Sequence, residues 1–257
     1  MLKILHLSGF SIETLNLPCT LPPNLTSLFF EYVEFCPTNL SDYVVDVPML
    51  ENLTFSSCKN IFHFKITARK LCSLTIKYFY RSELSLSIDL KSICTLELDS
   101  YSVQTILGTG ATMGHRLQQN VLNVELLKLS ALHLQRGVET SAFVSLLCIC
   151  PKLHELEICF WGTEDTTKAT DTTSKRLKKL CSVVQTYERL HILKFASFRG
   201  FKAEMLFIKE MLAGVPSLER VIFMGTSMYE YDSYKKHEII DEVLCFPRAS
   251  TEVKIVY

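Results

Sequence analysis

A short frame, L-x-x-L-x-L with other apolar residues allowed at its leucine positions, recurs along the chain and constrains the fold more than any other feature. Its nine copies begin at Leu2, Leu25, Leu50, Leu71, Ile93, Val124, Leu153, Leu190 and Leu218. Each copy alternates in the manner of a β-strand with one buried face. We number each copy from its first apolar residue and expect positions four and six to point into a core.

The spacing of the copies predicts the kind of fold. Successive copies are separated by 23, 25, 21, 22, 31, 29, 37 and 28 residues. The shorter separations fall within the period of roughly 20–29 residues that is typical of leucine-rich repeats. The sequence therefore predicts an α/β leucine-rich-repeat solenoid, with a curved parallel sheet, irregular convex coils early in the chain and helices late.

Four copies share a proline two residues before position one, namely Pro23, Pro48, Pro151 and Pro216. Proline lacks a backbone N–H and disfavours helix in the residue before it. We expect each proline to end the preceding segment and to begin an extended one. The longer gaps late in the chain contain helical patterns over residues 140–150, 173–190 and 202–214. In 173–190 the apolar residues of one helix face recur at spacings of three and four, namely Leu177, Leu180, Val184 and Tyr187.

The composition excludes several classes of partner. Lys and Arg together number 27, as do Asp and Glu, so the formal net charge is zero. Nucleic acids and anionic membranes attract cationic surfaces, so neither is expected as a partner. No apolar run approaches the roughly 18 residues of a membrane span. We also recognise no secretion leader, so an intracellular location in the cytoplasm and/or nucleus is expected, with the ten cysteines acting as small buried hydrophobes.

Positions three, five and seven are expected on the concave sheet face, where repeat proteins of this kind bind their partners. Position five holds Glu97, Lys128, Glu157 and Lys194 in successive copies. We favour the interpretation that these charges neutralise one another across strands, for about 0.2–1 kcal/mol per pair. The alternative is a charged docking strip. Asp99 and Glu155 are expected to have no cation in register, and the candidate interaction residues are Phe29, Glu97, Asp99, Lys128, Glu155, Glu157 and Lys194.

Position nine predicts a second internal feature. Leucine-rich repeats carry Asn or Cys there, whereas five copies of this chain carry an aromatic residue: Phe10, Phe79, Tyr101, Trp161 and Phe198. The pattern predicts an aromatic spine stacked inside the convex side, with a role in the core.

Motifs for catalysis or cofactor binding are weak. Cys148, Cys150 and Cys159 could ligate a metal, but zinc sites usually use separated pairs, so structural cysteines are favoured. The glycine-rich segment 108–114 lacks the lysine of a phosphate-binding loop. The basic segment 175–179 is interpreted as a solvated helix face, with a nuclear import signal as the alternative. We predict no enzyme, no cofactor and no metal.

The C-terminal quarter carries the most specific motifs. The segment "LHILKFASFRGFKAEMLFIKEMLAGVPSLERVIF", followed by "VLCFPRASTEVKIVY", resembles the FBD module of plant F-box proteins. The shared features are an F-R-G turn (198–200), an acidic-apolar helix (204–212), a P-x-L strand (216–223) and an F-P-R-A-S segment (246–250) before a final strand. The upstream copies resemble the leucine-rich repeats of the same proteins. This resemblance implies leucine-rich repeats over 1–180 and an FBD-like module over 181–257 that continues the solenoid.

The resemblance also implies a function. Such proteins recognise substrates for a ubiquitin ligase, and their F-box docks a Skp-type adaptor. This chain enters its first repeat at Leu2, so the F-box pattern is missing from it, and a Skp-type adaptor is a partner only if an F-box lies upstream. We therefore expect a non-catalytic interaction module of an F-box type adaptor whose target the sequence does not identify. The alternative is a stand-alone interaction protein or a decoy.

Overall fold

A ten-stranded, mostly parallel sheet dominates the computed structural model of the chain. The model describes residues 2–9, 11–12, 21–36, 43–61, 64–78, 90–107, 121–132, 137–161, 175, 178–179, 182–184, 187–224 and 233–257. The strands are β1 (Ile4–Ser8), β2 (Ser11–Ile12), β3 (Ser27–Glu31), β4 (Glu34–Phe35), β5 (Tyr43–Asp46), β6 (Asn52–Ser56), β7 (Phe64–Thr67), β8 (Ser73–Lys77), β9 (Thr95–Asp99), β10 (Leu126–Leu132), β11 (Glu155–Phe160), β12 (Ile192–Ala196), β13 (Arg220–Met224) and β14 (Lys254–Val256). The helices are α1 (Ser100–Leu107), α2 (Gly137–Cys148), α3 (Lys202–Gly214) and α4 (Ser233–Leu244).

The order of strands in the main sheet is β1-β3-β6-β8-β9-β10-β11-β12-β13-β14. Two further sheets, β2-β4 and β5-β7, have two parallel strands each. The chain divides into two compact units, Met1–Val124 and Glu125–Tyr257. Within the described residues, the first α-helix begins at Ser100, and α2, α3 and α4 belong to the second unit. The boundary at residue 180, which the resemblance implies, stays a prediction.

Most copies of the frame begin their strands with the same backbone hydrogen bonds. The carbonyl of position two accepts the N–H groups of positions two and three of the next copy. Lys3 O, for example, lies 2.8 Å from Thr26 N and 3.1 Å from Ser27 N. The carbonyls of Thr26, Glu51, Cys72, Glu125, His154 and His191 repeat this arrangement. The sequence frame is thus also a repeat of backbone geometry within each unit.

The shared prolines lie in β-turns that lead into position one. The N–H of Leu50 donates to Val47 O at 3.0 Å, which places Pro48 at the second residue of the turn. Pro151 and Pro216 stand at the same place in their turns. The fixed φ of proline suits this turn position. The proline ends the preceding segment, as predicted, but it does so inside a turn rather than at the start of extended chain.

Position eight ends most copies with a left-handed residue. The residues with positive φ at this position are Gly9, Tyr32, Ser57, Tyr78, Ala131 and Ser197. The amide of this residue reaches the next strand, since Gly9 N donates to Glu31 O at 3.0 Å and Tyr32 N to Ser56 O at 2.9 Å. These bonds fix where each strand stops and how the chain leaves the sheet.

Positions four and six form the core in the second to ninth copies, as predicted, whereas Leu5 and Leu7 of the first copy are only half-buried. Strands β3, β6 and β8 share the same alternation of half-buried and buried residues, with the buried ones at positions four and six. The aromatic stacking lies at position six, where the rings of Phe30 and Phe55 are 5.3 Å apart and those of Phe195 and Phe223 are 5.5 Å apart. Stacked aromatic rings at such distances contribute beyond their burial.

The predicted aromatic spine at position nine is wrong for two of its members. Tyr101 and Trp161 are both more than half exposed, whereas Phe198 is buried. Tyr101 lies in the first turn of α1. Strand β11 continues to a buried Phe160, so alternation turns Trp161 outward. The predicted members Phe10 and Phe79 lie outside the described residues.

The predicted helices over 140–150 and 202–214 correspond to α2 and α3. In the segment 173–190 the described residues 175, 178–179 and 182–184 are helical, and Val184 and Tyr187 are buried; the predicted face members Leu177 and Leu180 lie outside the described residues. Lys175, Lys178 and Lys179 are exposed. The expected final strand is present as β14, which pairs with β13 at the edge of the sheet.

The cysteines differ from the prediction. Eight of them lie within the described residues, and all eight are free thiols. Cys58 and Cys150 are buried, but the other six are partly or fully exposed, so the interpretation as buried hydrophobes is wrong for them. No helix in the described part of the chain is long and apolar enough to cross a membrane.

Candidate protein-interaction surface

Positions three, five and seven form one face of the main sheet, which we call the open face. In the first unit it consists mainly of half-buried hydroxyl and amide side chains. Its residues in β3, β6, β8 and β9 are Ser27, Phe29, Glu31, Asn52, Thr54, Ser56, Ser73, Thr75, Lys77, Thr95 and Glu97. This composition suits hydrogen bonding to a polypeptide rather than burial against a lipid surface.

Phe29 is the aromatic residue of this face in β3, and it stays half-buried. The His6 ring meets it edge-on, with centroids 5.9 Å apart, while His6 Nε2 lies 3.3 Å from Glu31 Oε2. Phe29 is therefore held in place by its neighbours and still presents part of its ring to solvent, as a contact residue must.

Glu97, the first member of the predicted charge series, is engaged within the first unit. Lys77 Nζ lies 2.6 Å from Glu97 Oε1, and the Thr75 hydroxyl donates to Glu97 Oε2 at 3.4 Å. The Glu97 carboxylate is thus neutralised by Lys77 of the preceding strand, β8.

The charges of the second unit also pair across strands. Lys128 Nζ lies 3.1 Å from Glu157 Oε2, as the neutralisation interpretation predicts. Lys194 stands directly opposite Glu157 but pairs with Glu155 at 2.6 Å. The expectation that Glu155 has no cation is therefore wrong, because a long lysine side chain reaches the diagonal neighbour. A role of these residues in binding stays a prediction.

Asp99 does not belong to the open face. It is buried, and its Oδ1 accepts the N–H of Ser102 at 2.7 Å, while Oδ2 accepts the N–H of Tyr78. Strand β9 runs directly into α1, so Asp99 takes the N-cap position of that helix. Strand alternation alone predicts that the Asp99 side chain points outward. It is buried instead, because α1 begins at the next residue and Asp99 caps it. As an interaction candidate, Asp99 is a wrong prediction.

Exposed tyrosines follow the strands of the first unit. Tyr32 follows β3 and Tyr78 follows β8, and each side chain is more than half exposed. Both have a left-handed backbone, with φ of 51° and 57°. That conformation costs a non-glycine residue about 1–2 kcal/mol, and an exposed ring gains little burial in return. Sequence reasoning missed this feature because it concerned positions within the strands.

Two histidines that are far apart in sequence meet at the start of β11 and β12. The rings of His154 and His191 are 4.9 Å apart, and His191 Nδ1 lies 2.9 Å from Glu219 Oε1. All three occupy position two of their copies. Their spacing along the chain does not group them, since only strand register brings them together.

The three cysteines considered as metal ligands have different environments. Cys148 is exposed at the end of α2, Cys159 is half-buried on β11, and burial raises the pKa of the Cys150 thiol to about 12. In the part of the chain that the structure describes, no group of three or more His, Cys, Asp or Glu side chains is arranged to hold a metal ion. The glycine-rich segment 108–114 lies outside that part.

Comparison with protein-family models and with curated proteins finds no match to the chain.

Proposed function

We propose that the chain is a leucine-rich-repeat solenoid that binds a protein target on the open face of its sheet. In this proposal it is a non-catalytic substrate-recognition part of an F-box type ubiquitin ligase adaptor. The target is captured by the repeats, and ubiquitin transfer takes place elsewhere in the assembly.

One observation carries the binding proposal. Copies of one backbone unit, each started by the same pair of hydrogen bonds, place positions three, five and seven side by side on successive strands. In the first unit this gives a row of short polar side chains with Phe29 within it and exposed Tyr32 and Tyr78 at the strand ends. Aromatic side chains surrounded by hydrogen-bonding groups are typical centres of protein interfaces.

The charge pairs limit the kind of target. Glu97, Lys128 and Lys194 each have an oppositely charged neighbour within 3.1 Å. Such a surface does not attract a strongly charged partner by long-range steering. A folded protein surface or a peptide of balanced charge therefore fits better than nucleic acid. We place the protein in the cytoplasm or nucleus, where free thiols persist.

The ubiquitin-ligase part of the proposal is supported by the resemblance of the C-terminal motifs to the FBD module. In the structure, the F-R-G turn is closed by Glu204, whose Oε2 accepts the N–H groups of Arg199 and Phe201 at 3.0 Å each. Gly200 has a φ of 74° and packs against Ile239 of α4. The motif residues thus have a structural reason to occur together, whatever the chain binds.

The experiment is to purify the native protein through an antibody to its C-terminal tail and to measure its intact mass and its associated proteins. We expect a mass above 29.4 kDa, peptides that precede Met1, and a Skp-type adaptor and a cullin in the complex. A native mass of 29.4 kDa with no adaptor would contradict the ubiquitin-ligase part and favour a stand-alone interaction protein or decoy.

A further inference from the structure

Two cysteines stand opposite each other where β8 and β9 begin. Cys72 and Cys94 both occupy position two of their copies. The register of the two parallel strands pairs Ser73 with Thr95, so the preceding residues, Cys72 and Cys94, are also neighbours. Adjacent strands lie about 4.8 Å apart, and disulfides join Cα atoms that are about 4.4–6.8 Å apart. The backbone spacing therefore fits a disulfide.

The side chains are placed consistently with this spacing. Cys94 Sγ lies 3.3 Å from Cys72 O, and Cys72 Sγ lies 3.5 Å from Glu51 O. Both thiols thus lie where β8 and β9 begin, next to the backbone N–H groups that donate to the position-two carbonyls.

Their surroundings separate these cysteines from the structural ones. Cys58 and Cys150 are buried in the core, whereas Cys72 and Cys94 are partly exposed. A small oxidant can therefore reach the pair. Packing alone does not explain why two successive copies hold a thiol at a position that elsewhere carries Lys3, Thr26, Glu51, His154 or Glu219.

We propose that Cys72 and Cys94 are a modification site that forms a reversible disulfide when the protein meets a hydroperoxide. One thiolate attacks the peroxide, the O–O bond breaks, and a sulfenic acid and an alcohol or water form. The second thiolate then attacks the sulfenic sulfur, the S–O bond breaks, and water leaves. Two thiols are oxidised to one disulfide, and one peroxide is reduced.

The rate should depend on pH. Burial first, and then the neighbouring Cys94 thiol, raise the pKa of Cys72. Since the thiolate is the nucleophile, the first step should be slow at neutral pH and should accelerate as pH rises. A bond between adjacent parallel strands that is partly exposed should also be readily reduced by small thiols.

A peptide map of the whole chain tests the proposal. The reduced protein is treated with hydrogen peroxide, its remaining thiols are blocked with N-ethylmaleimide, and it is digested with trypsin without reduction. Cleavage after Lys70, Lys77, Lys91 and Arg116 leaves Cys72 in the peptide 71–77 and Cys94 in the peptide 92–116, with no other cysteine in either. We expect these two peptides to be joined, and dithiothreitol to separate them.

Two comparisons make the result decisive. Cys94→Ser should remove the link and leave Cys72 as a free thiol or a sulfenic acid, whereas Cys245→Ser, at an exposed site outside the pair, should leave the 72–94 link unchanged. The proposal is overturned if the wild-type map shows Cys72 and Cys94 separately alkylated, or linked chiefly to other cysteines. Because that map needs only the wild-type chain, a variant that fails to fold does not affect the conclusion.

Discussion

Replacing Asp99 tests how the repeat changes where the first α-helix begins. In the earlier copies the amide of position eight donates to the position-seven carbonyl of the next strand, as Ser57 N does to Lys77 O at 2.9 Å. At Tyr78 the acceptor is instead the carboxylate of Asp99, which also caps α1 through the N–H of Ser102. One buried side chain thus replaces a backbone acceptor and starts a helix.

The two contacts can be weighed separately. In Asp99→Asn the amide oxygen can still cap the helix, and Asn caps about as well as Asp. The amide nitrogen, however, faces the N–H of Tyr78, and leaving that donor without an acceptor should cost about 1–3 kcal/mol. Asp99→Ala also loses the cap, for about 1 kcal/mol more. The expected losses are therefore about 1–3 kcal/mol for Asn and about 2–4 kcal/mol for Ala.

Urea unfolding and amide hydrogen exchange measure these losses of stability. Exchange in peptides that cover α1 should accelerate in both variants, and more in the alanine variant, because it reports local opening. Asp241→Ala, at an exposed position of α4, serves as the control and should change little. If the asparagine variant matched the wild type while alanine did not, the contact to Tyr78 would contribute nothing and the reasoning would be refuted.

Three further predictions follow from local geometry. Gly200→Ala should destabilise the second unit by about 2–4 kcal/mol, because φ is 74° and a Cβ would lie 2.5 Å from an isoleucine of α4. Gly9→Ala is the control: φ is 76°, no atom lies within 4 Å of the added Cβ, and the substitution should cost only about 1 kcal/mol. Equal losses of stability in urea unfolding would contradict this prediction. Burial raises the pKa of Glu204, so its stabilising effect is complete below the ordinary glutamate pKa and is lost as pH rises through the raised one. Wild type should therefore gain stability over Glu204→Gln as pH falls from neutral, and a constant difference in urea midpoints would refute it. A double-mutant cycle of Lys194→Met and Glu155→Gln should give a coupling of about 0.5–1 kcal/mol that shrinks at high salt; a salt-independent value would argue against a simple ion pair.

Much of the fold follows from the apolar frame. Alternation is a local property of the chain, so positions four and six could be assigned to the core and β3, β6 and β8 located without a structure. The segments of α2 and α3 were also recognised, from helical patterns in the longer gaps. The prolines marked where each preceding segment ends, because proline restricts its own backbone whatever surrounds it.

What the sequence could not provide depends on contacts between copies. The left-handed position eight holds Gly, Tyr, Ser and Ala, so residue type does not reveal it. The environment of Asp99 depends on where α1 starts. The partner of Glu155 depends on the Lys194 side chain, which extends to a diagonal neighbour on the adjacent strand. Cys72 and Cys94 become neighbours only once the register of β8 and β9 is known. These are tertiary relations that local periodicity does not encode.

The measurement that tests the central claim most directly is site-specific photo-crosslinking in cells that express the protein. A photoreactive amino acid is placed at Thr54 or Thr75 on the open face, and at exposed Lys209 of α3 as the matched control. We predict that both open-face positions crosslink the same protein, that Lys209 does not, and that Phe29→Ala weakens the crosslink. Crosslinking of that protein from Lys209 but from neither threonine would contradict the proposal that the open face binds the target.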